Sequence, residues 1–170
     1  FTVAKTDLTR VKEVIEATLA NDYHLEVDFR GMTTICVERP SGAGSAIEAL
    51  GAATNPFLAT VGLRIEPGPR DSGVHFQLDV VDLVTIPLYI YKSAGHFTDA
   101  MTQYVRQSME RGFYGWQVTD CLVTMTSCAY SVPDGPPSKR GPLSTSSDYR
   151  KLTPIVLMQA LEQARTSVCE

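Results

Sequence analysis

Apolar residues recur along the chain at two spacings, and each spacing predicts a type of element. Segments in which they return every three or four residues, as on one face of a helix, are 7–20, 95–111 and 147–164. Segments in which they alternate with polar residues, as in a strand with one buried face, are 24–29, 33–38, 57–65, 74–80 and 116–128, with 46–50 as a further candidate. This order predicts an α+β fold, with a mostly antiparallel or mixed sheet covered by helices on one face.

Three places in this pattern decide how the elements connect. The turn-forming segment EPGPRDSG separates the strands 57–65 and 74–80, which predicts that they form an antiparallel hairpin. Pro40 and the segment SGAGS, residues 41–45, predict a linker or a boundary between two units. Pro154 lacks a backbone N–H and falls inside the last helical segment, so it must either begin the main helix or kink it.

Composition and charge narrow the class of protein. The chain has 170 residues, of which 44% are hydrophobic, enough for one domain, or one domain and part of a neighbour, with a real core. Its formal net charge of −4 argues against a protein that coats nucleic acid by charge alone, although a loop can still contact RNA locally. No apolar run approaches the roughly 20 residues of a membrane helix. The chain starts at Phe1 within helix-forming sequence, which suggests a fragment of a longer protein.

Residue patterns typical of catalysis or metal binding do not occur in the sequence. His24, His75 and His96 lie on different predicted elements, without a carboxylate or cysteine at metal-ligand spacing. The four cysteines form no CxxC pair, which indicates inert thiols rather than a disulfide framework. SGAGS does not continue to GxGxxG or GK[ST], and no GxSxG motif is present. Asp120 and Cys121 are neighbours on a predicted strand, so their side chains point to opposite faces and cannot act as a pair.

The longest polar segment lies between the strand 116–128 and the last helix. SCAYSVPDGPPSKRGPLSTSSDYRKLTP, residues 127–154, is rich in proline, which stiffens the backbone in an extended form. Lys139 and Arg140 can reach phosphates, and Tyr130 supplies a ring that can stack on a base. A loop of this length is usually functional or disordered. The segment therefore suits insertion into an RNA crevice, and a disordered surface loop is the alternative.

Three segments together resemble a known family. They are NPFLATVGLRIEPGPRDSGV (55–74), GFYGWQVTDC (112–121) and STSSDYRKLTPIVLMQALEQARTSVCE (144–170). In this order and spacing they resemble the tetracycline ribosomal protection proteins, which are translational GTPases related to elongation factor G, and the resemblance covers most of residues 11–170. It implies that residues 1–32 are the C-terminal part of an elongation factor G-like third domain, with a ferredoxin-like fold. Residues 33–170 would be the fourth domain, with a ribosomal protein S5 domain 2-like βαβ fold.

The resemblance also implies what the domain does. The fourth domain of this family reaches into the A site of the small ribosomal subunit near the decoding centre, where its tip contacts rRNA and helps to release tetracycline. The GTPase domain, which binds GTP and Mg²⁺ and whose hydrolysis drives release of the factor, lies outside this chain. We therefore expect a fragment that is not itself an enzyme, holds no cofactor, and binds neither DNA nor a membrane. Its parent would be a monomeric, cytoplasmic translational GTPase.

The residues expected to contact rRNA come from the long loop and from the turn before the strand 57–65. In the loop, GPLST (141–145) resembles the family's tip element serine-proline-valine-serine-threonine and follows an insertion within 132–141. The expected contacts are Tyr130, Ser131, Pro133, Lys139, Arg140, Pro142, Leu143, Ser144 and Thr145 from the loop, and Thr54, Asn55 and Pro56 from the turn. The turn around 84–87 is a third candidate. For these segments to act together, the loop and the turn at 52–56 must lie side by side.

Phe113, Tyr114 and Trp116, in GFYGW, are expected to anchor the helix-to-strand turn by burial, since a buried aromatic side chain contributes about 2–3 kcal/mol. Two other functions stay open. One is a paralogue of elongation factor G that acts in translation without drug resistance, which a tetracycline tolerance assay would distinguish. The other is a small enzyme or ligand-binding module on the same fold, which would need a convergent polar pocket.

Overall fold

A computed structural model describes residues 7–29, 35–80, 85–132 and 142–169, which form eleven helices and strands. In chain order they are α1 (Leu8–Tyr23), β1 (Val37–Pro40), β2 (Gly44–Glu48), β3 (Ala59–Pro67), β4 (Val74–Leu78), α2 (Leu88–Tyr91), α3 (Ala94–Ser108), β5 (Gln117–Val118), β6 (Cys121–Tyr130), α4 (Ser146–Ala164) and β7 (Thr166–Cys169). By its contacts the chain divides into two units, one ending at Ile35 and the other spanning Cys36–Cys169. The predicted α+β composition is confirmed.

Helix α1 belongs to the first unit and extends three residues beyond the segment 7–20 that the apolar spacing predicts. It ends because His24 adopts a left-handed conformation (φ 54°) and its backbone N–H donates to the carbonyl of Leu19. Residues 24–29, which were expected to form a strand, are irregular. No strand in the described part of the chain pairs with them, so their alternation of apolar and polar residues does not produce a strand.

The second unit is built on a four-stranded sheet with the spatial order β2-β3-β6-β4. Strands β2, β3 and β6 are antiparallel neighbours, and β4 runs parallel to β6. The predicted hairpin of β3 with β4 is therefore wrong, because β6 lies between them. In this arrangement Val123 of β6 is opposite Ile65 on one side and Phe76 on the other. Strand β3 therefore pairs with β6, which is distant in the sequence, and not with β4, which follows it directly.

A second sheet has the order β5-β1-β7, with β1 parallel to β5 and antiparallel to β7. The segment SGAGS between β1 and β2 is not a linker, which corrects the sequence interpretation. The backbone N–H of Ser41 donates to the carbonyl of Arg165 (2.7 Å), and that of Gly42 to the carbonyl of Ala164 (3.0 Å). Gly44 already belongs to β2 and is buried against α4. The small residues allow close approach of two backbones rather than flexibility.

Two long helices cover the four-stranded sheet. Helix α4 packs on β2 and β3, α3 lies against β4, and the two helices contact each other. Ser93 caps α3, since its hydroxyl accepts the N–H of His96 (3.1 Å). Helix α4 starts at a capping box of Thr145 and Asp148 and continues through Pro154, which therefore does not begin the helix.

The core lies between these helices and the sheet. Its aromatic centre is made of Tyr91, Phe97 and Tyr149, whose ring centroids are 5.1–6.0 Å apart in edge-to-face geometry. Burial raises the pKa of the hydroxyl of Tyr149, so this group stays protonated and donates to the carbonyl of Ala129 (2.9 Å). The core fixes the start of α4 and the end of β6, which flank the long loop.

The turn GFYGW is held by a buried carboxylate rather than by its aromatic side chains. Phe113 and Tyr114 are 47% and 63% exposed, so the expectation that they are buried is wrong, while Trp116 is half-buried. Glu38 is fully buried, and its Oε1 accepts the backbone N–H groups of Tyr114 (2.8 Å) and Trp116 (3.1 Å). Gly112 leaves room for that carboxylate, since a Cβ there would lie 2.2 Å from Oε2. These hydrogen bonds fix the turn without burial of the rings.

Candidate functional site

Three segments meet at one end of the four-stranded sheet. Ala59, the first residue of β3, pairs with Tyr130, the last residue of β6. The turn that leads into β3 and the loop that leaves β6 therefore emerge side by side, the adjacency that the sequence interpretation requires. Helix α2 joins them through Tyr89, whose ring centroid lies 5.5 Å from that of Tyr130.

Ser144 is the residue on which the three segments converge. Its buried hydroxyl donates to the carbonyl of Leu58 and accepts the N–H of Ser131 (2.7 Å). Its backbone N–H donates to the carbonyl of Ser131 (3.2 Å), and its carbonyl accepts the hydroxyl of Tyr89 (2.7 Å). Ser131 and Ser144 thus close the base of the loop, and the same residue ties that base to β3 and α2.

Asn55 organises the turn that precedes β3. Its side chain is buried, and its amide nitrogen donates to the carbonyls of Ala49 (2.9 Å) and Ala59 (2.8 Å). Its amide oxygen accepts the N–H of Phe57 (2.9 Å), which completes the hydrogen bonds of a tight Asx-type turn. Because every polar atom of the side chain is used within the chain, Asn55 sets the shape of the turn.

Glu48 and Asp148 accept hydrogen bonds from several segments at the same end of the sheet. The carboxylate of Glu48 accepts from Gln159 (2.9 Å) and from the hydroxyl of Thr54 (2.9 Å), and these hydrogen bonds lower its pKa. Asp148 accepts the N–H of Thr145 (2.7 Å) on one oxygen and the N–H of Leu58 (3.4 Å) on the other. Both ends of the turn and the start of α4 are therefore held by carboxylates at the end of the sheet.

The expected contact residues differ in how far they are exposed. Those with exposed side chains are Thr54, Pro56, Pro142, Leu143 and Thr145. Tyr130 and Ser131 are half-buried, and Asn55 and Ser144 are buried in the hydrogen bonds described above. Pro133, Lys139 and Arg140 lie outside the described residues. A role in RNA contact stays a prediction for all of these residues. Among them, the five exposed side chains are accessible to a partner.

Leu88 and Tyr89 are surface residues at this end that the sequence interpretation missed. Both are about half exposed, at 48% and 49%. The candidate turn at 84–87 pointed to their neighbourhood. Of its described members, Ile86 and Pro87 are buried and Thr85 is half-buried. The signal in the sequence was the run PLYIY, where two large side chains directly follow the proline and precede the helical pattern of α3.

The described residues form no arrangement that suggests catalysis. They contain no cluster of histidine, cysteine, aspartate and glutamate that could hold a metal ion. Cys121 and Cys128 are buried, and burial raises the pKa of their thiols to about 12 and about 11, so both stay protonated. Asp120 is buried in an ion pair with Arg39. None of the helices in the described ranges is long and apolar enough to cross a bilayer. The arrangement at the end of the sheet is suited to contact with a partner.

Replacing Ser144 by alanine is expected to lower the free energy of unfolding by about 1–2 kcal/mol, since the carbonyl of Leu58 and the N–H of Ser131 lose their partner. Urea denaturation measures this change, and faster amide hydrogen exchange at Ser131 would locate it at the base of the loop. Ser146→Ala is the matched control because Ser146 is exposed. Unchanged exchange at Ser131 in the Ser144 variant would contradict the assigned role.

Comparisons with known proteins agree with this architecture. The family model of elongation factor G, domain IV, matches residues 37–165. The tetracycline resistance proteins TetM of Staphylococcus aureus, TetO of Campylobacter jejuni and TetP of Clostridium perfringens are 35%, 37% and 35% identical over 158 residues. Each alignment covers 93% of this chain and 22% of the relative, so the chain spans about a fifth of the length of these curated relatives.

A crystal structure of a protein from Thermus thermophilus has a similar fold. It is 17% identical, with a TM-score of 0.58 over 97% of this chain and 22% of that chain. Together with the family match, this likeness confirms the predicted fold class, a ribosomal protein S5 domain 2-like α+β domain. The assignment of residues 1–32 to a preceding third domain, and of 33–170 to the fourth, stays a prediction.

Proposed function

Because this chain belongs to the elongation factor G domain IV family, we propose that it is the ribosome-contacting domain of a tetracycline ribosomal protection protein. In this proposal the end of the sheet that carries the long loop reaches into the A site of the small subunit. There it contacts rRNA near the decoding centre and helps to release tetracycline. A separate domain of the complete protein binds GTP and Mg²⁺ and hydrolyses GTP.

The convergence of three segments on Ser144 is the observation that carries this proposal. The base of the loop is closed by Ser131 and Ser144, and it is tied to the turn before β3 and to α2. A surface held in place before binding loses less conformational entropy when a partner binds, which favours affinity. The fixed base supports a loop that enters a crevice without first having to order its attachment points.

The exposed residues at this end provide the chemistry that RNA contact needs. The hydroxyls of Thr54 and Thr145 donate to Glu48 and Asp148, and their oxygens can still accept the proton of a 2′-hydroxyl group. The exposed rings of Pro56 and Pro142 can pack on bases. Lys139 and Arg140 add two positive charges for phosphates. No bond is made or broken by these groups, so the domain acts by occupying the drug's surroundings and by competing for its contacts.

The test replaces residues 132–143 by a glycine-serine linker in the complete natural protein, with Ser131 and Ser144 retained so that the base of the loop can still close. We expect about tenfold weaker binding to tetracycline-loaded ribosomes and loss of translational rescue, with GTP binding unchanged. The matched control replaces Pro69 and Arg70, in the connection at the other end of β3, by glycine and serine. That variant should bind and rescue as the wild type does.

Each contrary result has a definite meaning. If the loop variant binds and rescues as well as the wild type, the loop is not the contact and the proposal fails. If the wild-type protein binds ribosomes but does not raise tetracycline tolerance, the alternative applies, a translation factor of the same family without a drug phenotype. The match to the elongation factor G domain IV model supports that alternative equally, so the tolerance assay decides between them.

A further inference from the structure

Tyr89 is held in a fixed orientation beside the loop but keeps an open surface. Its hydroxyl donates to the carbonyl of Ser144 (2.7 Å), and its ring is tilted by 52° against the ring of Tyr130. Even so, 49% of the residue is exposed. An aromatic side chain fixed at two points and still half exposed is well suited to meet a partner, because little rotamer freedom is left to lose on binding.

Other partly exposed apolar side chains are neighbours along the chain of Tyr89 or of the two serines that close the base of the loop. Leu88, Val132 and Leu143 are 48%, 50% and 45% exposed; Leu88 directly precedes Tyr89, and the other two adjoin the base of the loop along the chain. Val132 follows Ser131, and Leu143 precedes Ser144. Exposed apolar residues that gather in one place on a protein surface often mark a binding site.

Exposed cations at the end of α2 and early in α4 favour nucleic acid as the partner. Tyr91 and Tyr149 contact each other with ring centroids 6.0 Å apart, and each is followed by an exposed cation, Lys92 and Arg150. Neither they nor Lys151 forms an ion pair with any other described residue. Asp148 on the same helix has its oxygens occupied by backbone N–H groups. Stacking surfaces flanked by unpaired cations are typical of binding sites for single-stranded nucleic acid.

We propose that the open face of Tyr89 stacks on an unpaired base of the small-subunit rRNA, with Lys92, Arg150 and Lys151 beside the neighbouring phosphates. This inference rests on the proposed function and adds a contact outside the long loop and the turn before β3. A protein partner is less well matched, because exposed lysine and arginine beside an aromatic face are typical of surfaces that contact phosphates and bases.

The test uses three substitutions at Tyr89 in the complete natural protein. Tyr89→Phe and Tyr89→Trp keep an aromatic face and remove the hydroxyl that reaches Ser144, whereas Tyr89→Leu keeps apolar volume without an aromatic face. We expect about tenfold weaker ribosome binding for the leucine variant and only about two- to threefold weaker binding for the other two, which lose the hydrogen bond to Ser144 but keep a stacking face. Equal losses in the leucine and phenylalanine variants would show that the hydroxyl matters and would overturn stacking, as would wild-type binding by the leucine variant.

A second measurement does not depend on the folding of the Tyr89 variants. In a Lys92→Gln, Arg150→Gln, Lys151→Gln variant, the dependence of log K on log salt concentration should become shallower by about one unit per lost phosphate contact. An unchanged slope would overturn the phosphate contacts. If the loop replacement weakens ribosome binding and Tyr89→Leu does not, this inference fails and the proposed function stands. If wild-type protein does not bind ribosomes, the proposed function fails first.

Discussion

Replacing Gly44 by alanine is expected to lower the free energy of unfolding by about 3–5 kcal/mol. A Cβ at this position would lie 2.1 Å from the carbonyl oxygen of Ala160 and 2.5 Å from the backbone nitrogen of Ala164. Both atoms belong to the backbone of α4, so a rotamer change cannot relieve the overlap. The strand or the helix must move, and α4 packs on both β2 and β3. The expected loss therefore exceeds that of an ordinary overpacked core position.

Urea denaturation of the 170-residue chain measures the change, with Gly42→Ala as the matched control. Gly42 lies two residues earlier in the same segment, and a Cβ there would be 3.6 Å from the carbonyl oxygen of Ala164, an ordinary van der Waals distance. The control should change the free energy of unfolding by less than about 1 kcal/mol. Equal losses in the two variants would mean that loss of glycine flexibility, rather than the approach of β2 to α4, destabilises the chain.

Gly44 also illustrates what a local pattern can and cannot predict. Glycine and serine in SGAGS are equally typical of a linker and of a close backbone approach, and only the placement of α4 distinguishes the two. The alternation in β3 and β6 was recognised because one buried face leaves a period of two in the sequence. The strands with which β3 and β6 pair were not predicted, because the pairing of Val123 with both Ile65 and Phe76 joins residues far apart in the chain.

The candidate site was predictable to a similar extent. The family resemblance placed Asn55 and Ser144 at the tip, but their burial and hydrogen bonding depend on residues such as Leu58 and Tyr89 that were not among the expected contacts. Phe113 and Tyr114 were expected to anchor their turn by burial because a buried aromatic side chain is strongly stabilising. A buried glutamate, Glu38, satisfies their turn instead, a solution without a signal in the local sequence.

Asp120 joins three segments at the start of β6, and its removal is the second large effect that we expect. The side chain is buried, one oxygen accepts from Arg39 of β1 (2.5 Å), and the other accepts the N–H of Gly73 (3.1 Å) before β4. Burial alone would raise the pKa of this carboxyl. The hydrogen bonds and charge of Arg39, with the backbone N–H groups of Gly73 and Asp71, outweigh burial and lower the pKa.

Asp120→Asn should lower the free energy of unfolding by about 2–4 kcal/mol at pH 7, because the largely buried guanidinium of Arg39 then loses this carboxylate. Asparagine has the same shape and tolerates the positive φ of 56° at this position, so the substitution tests charge rather than backbone strain. Glu66→Gln is the control, since the Arg64–Glu66 pair has a similar distance of 2.7 Å but is exposed. Its loss should be below about 1 kcal/mol.

The pH dependence separates the ion pair from simple packing. Because the pKa of Asp120 is lower in the folded protein, its stabilisation is fully present above the unfolded pKa of about 4 and is lost as the pH falls through the folded value. The difference in unfolding free energy between wild type and Asp120→Asn should therefore be constant from pH 7 down to about pH 5 and should shrink below about pH 4. A difference that stays constant down to about pH 2 would contradict the charge argument, because a packing defect does not titrate.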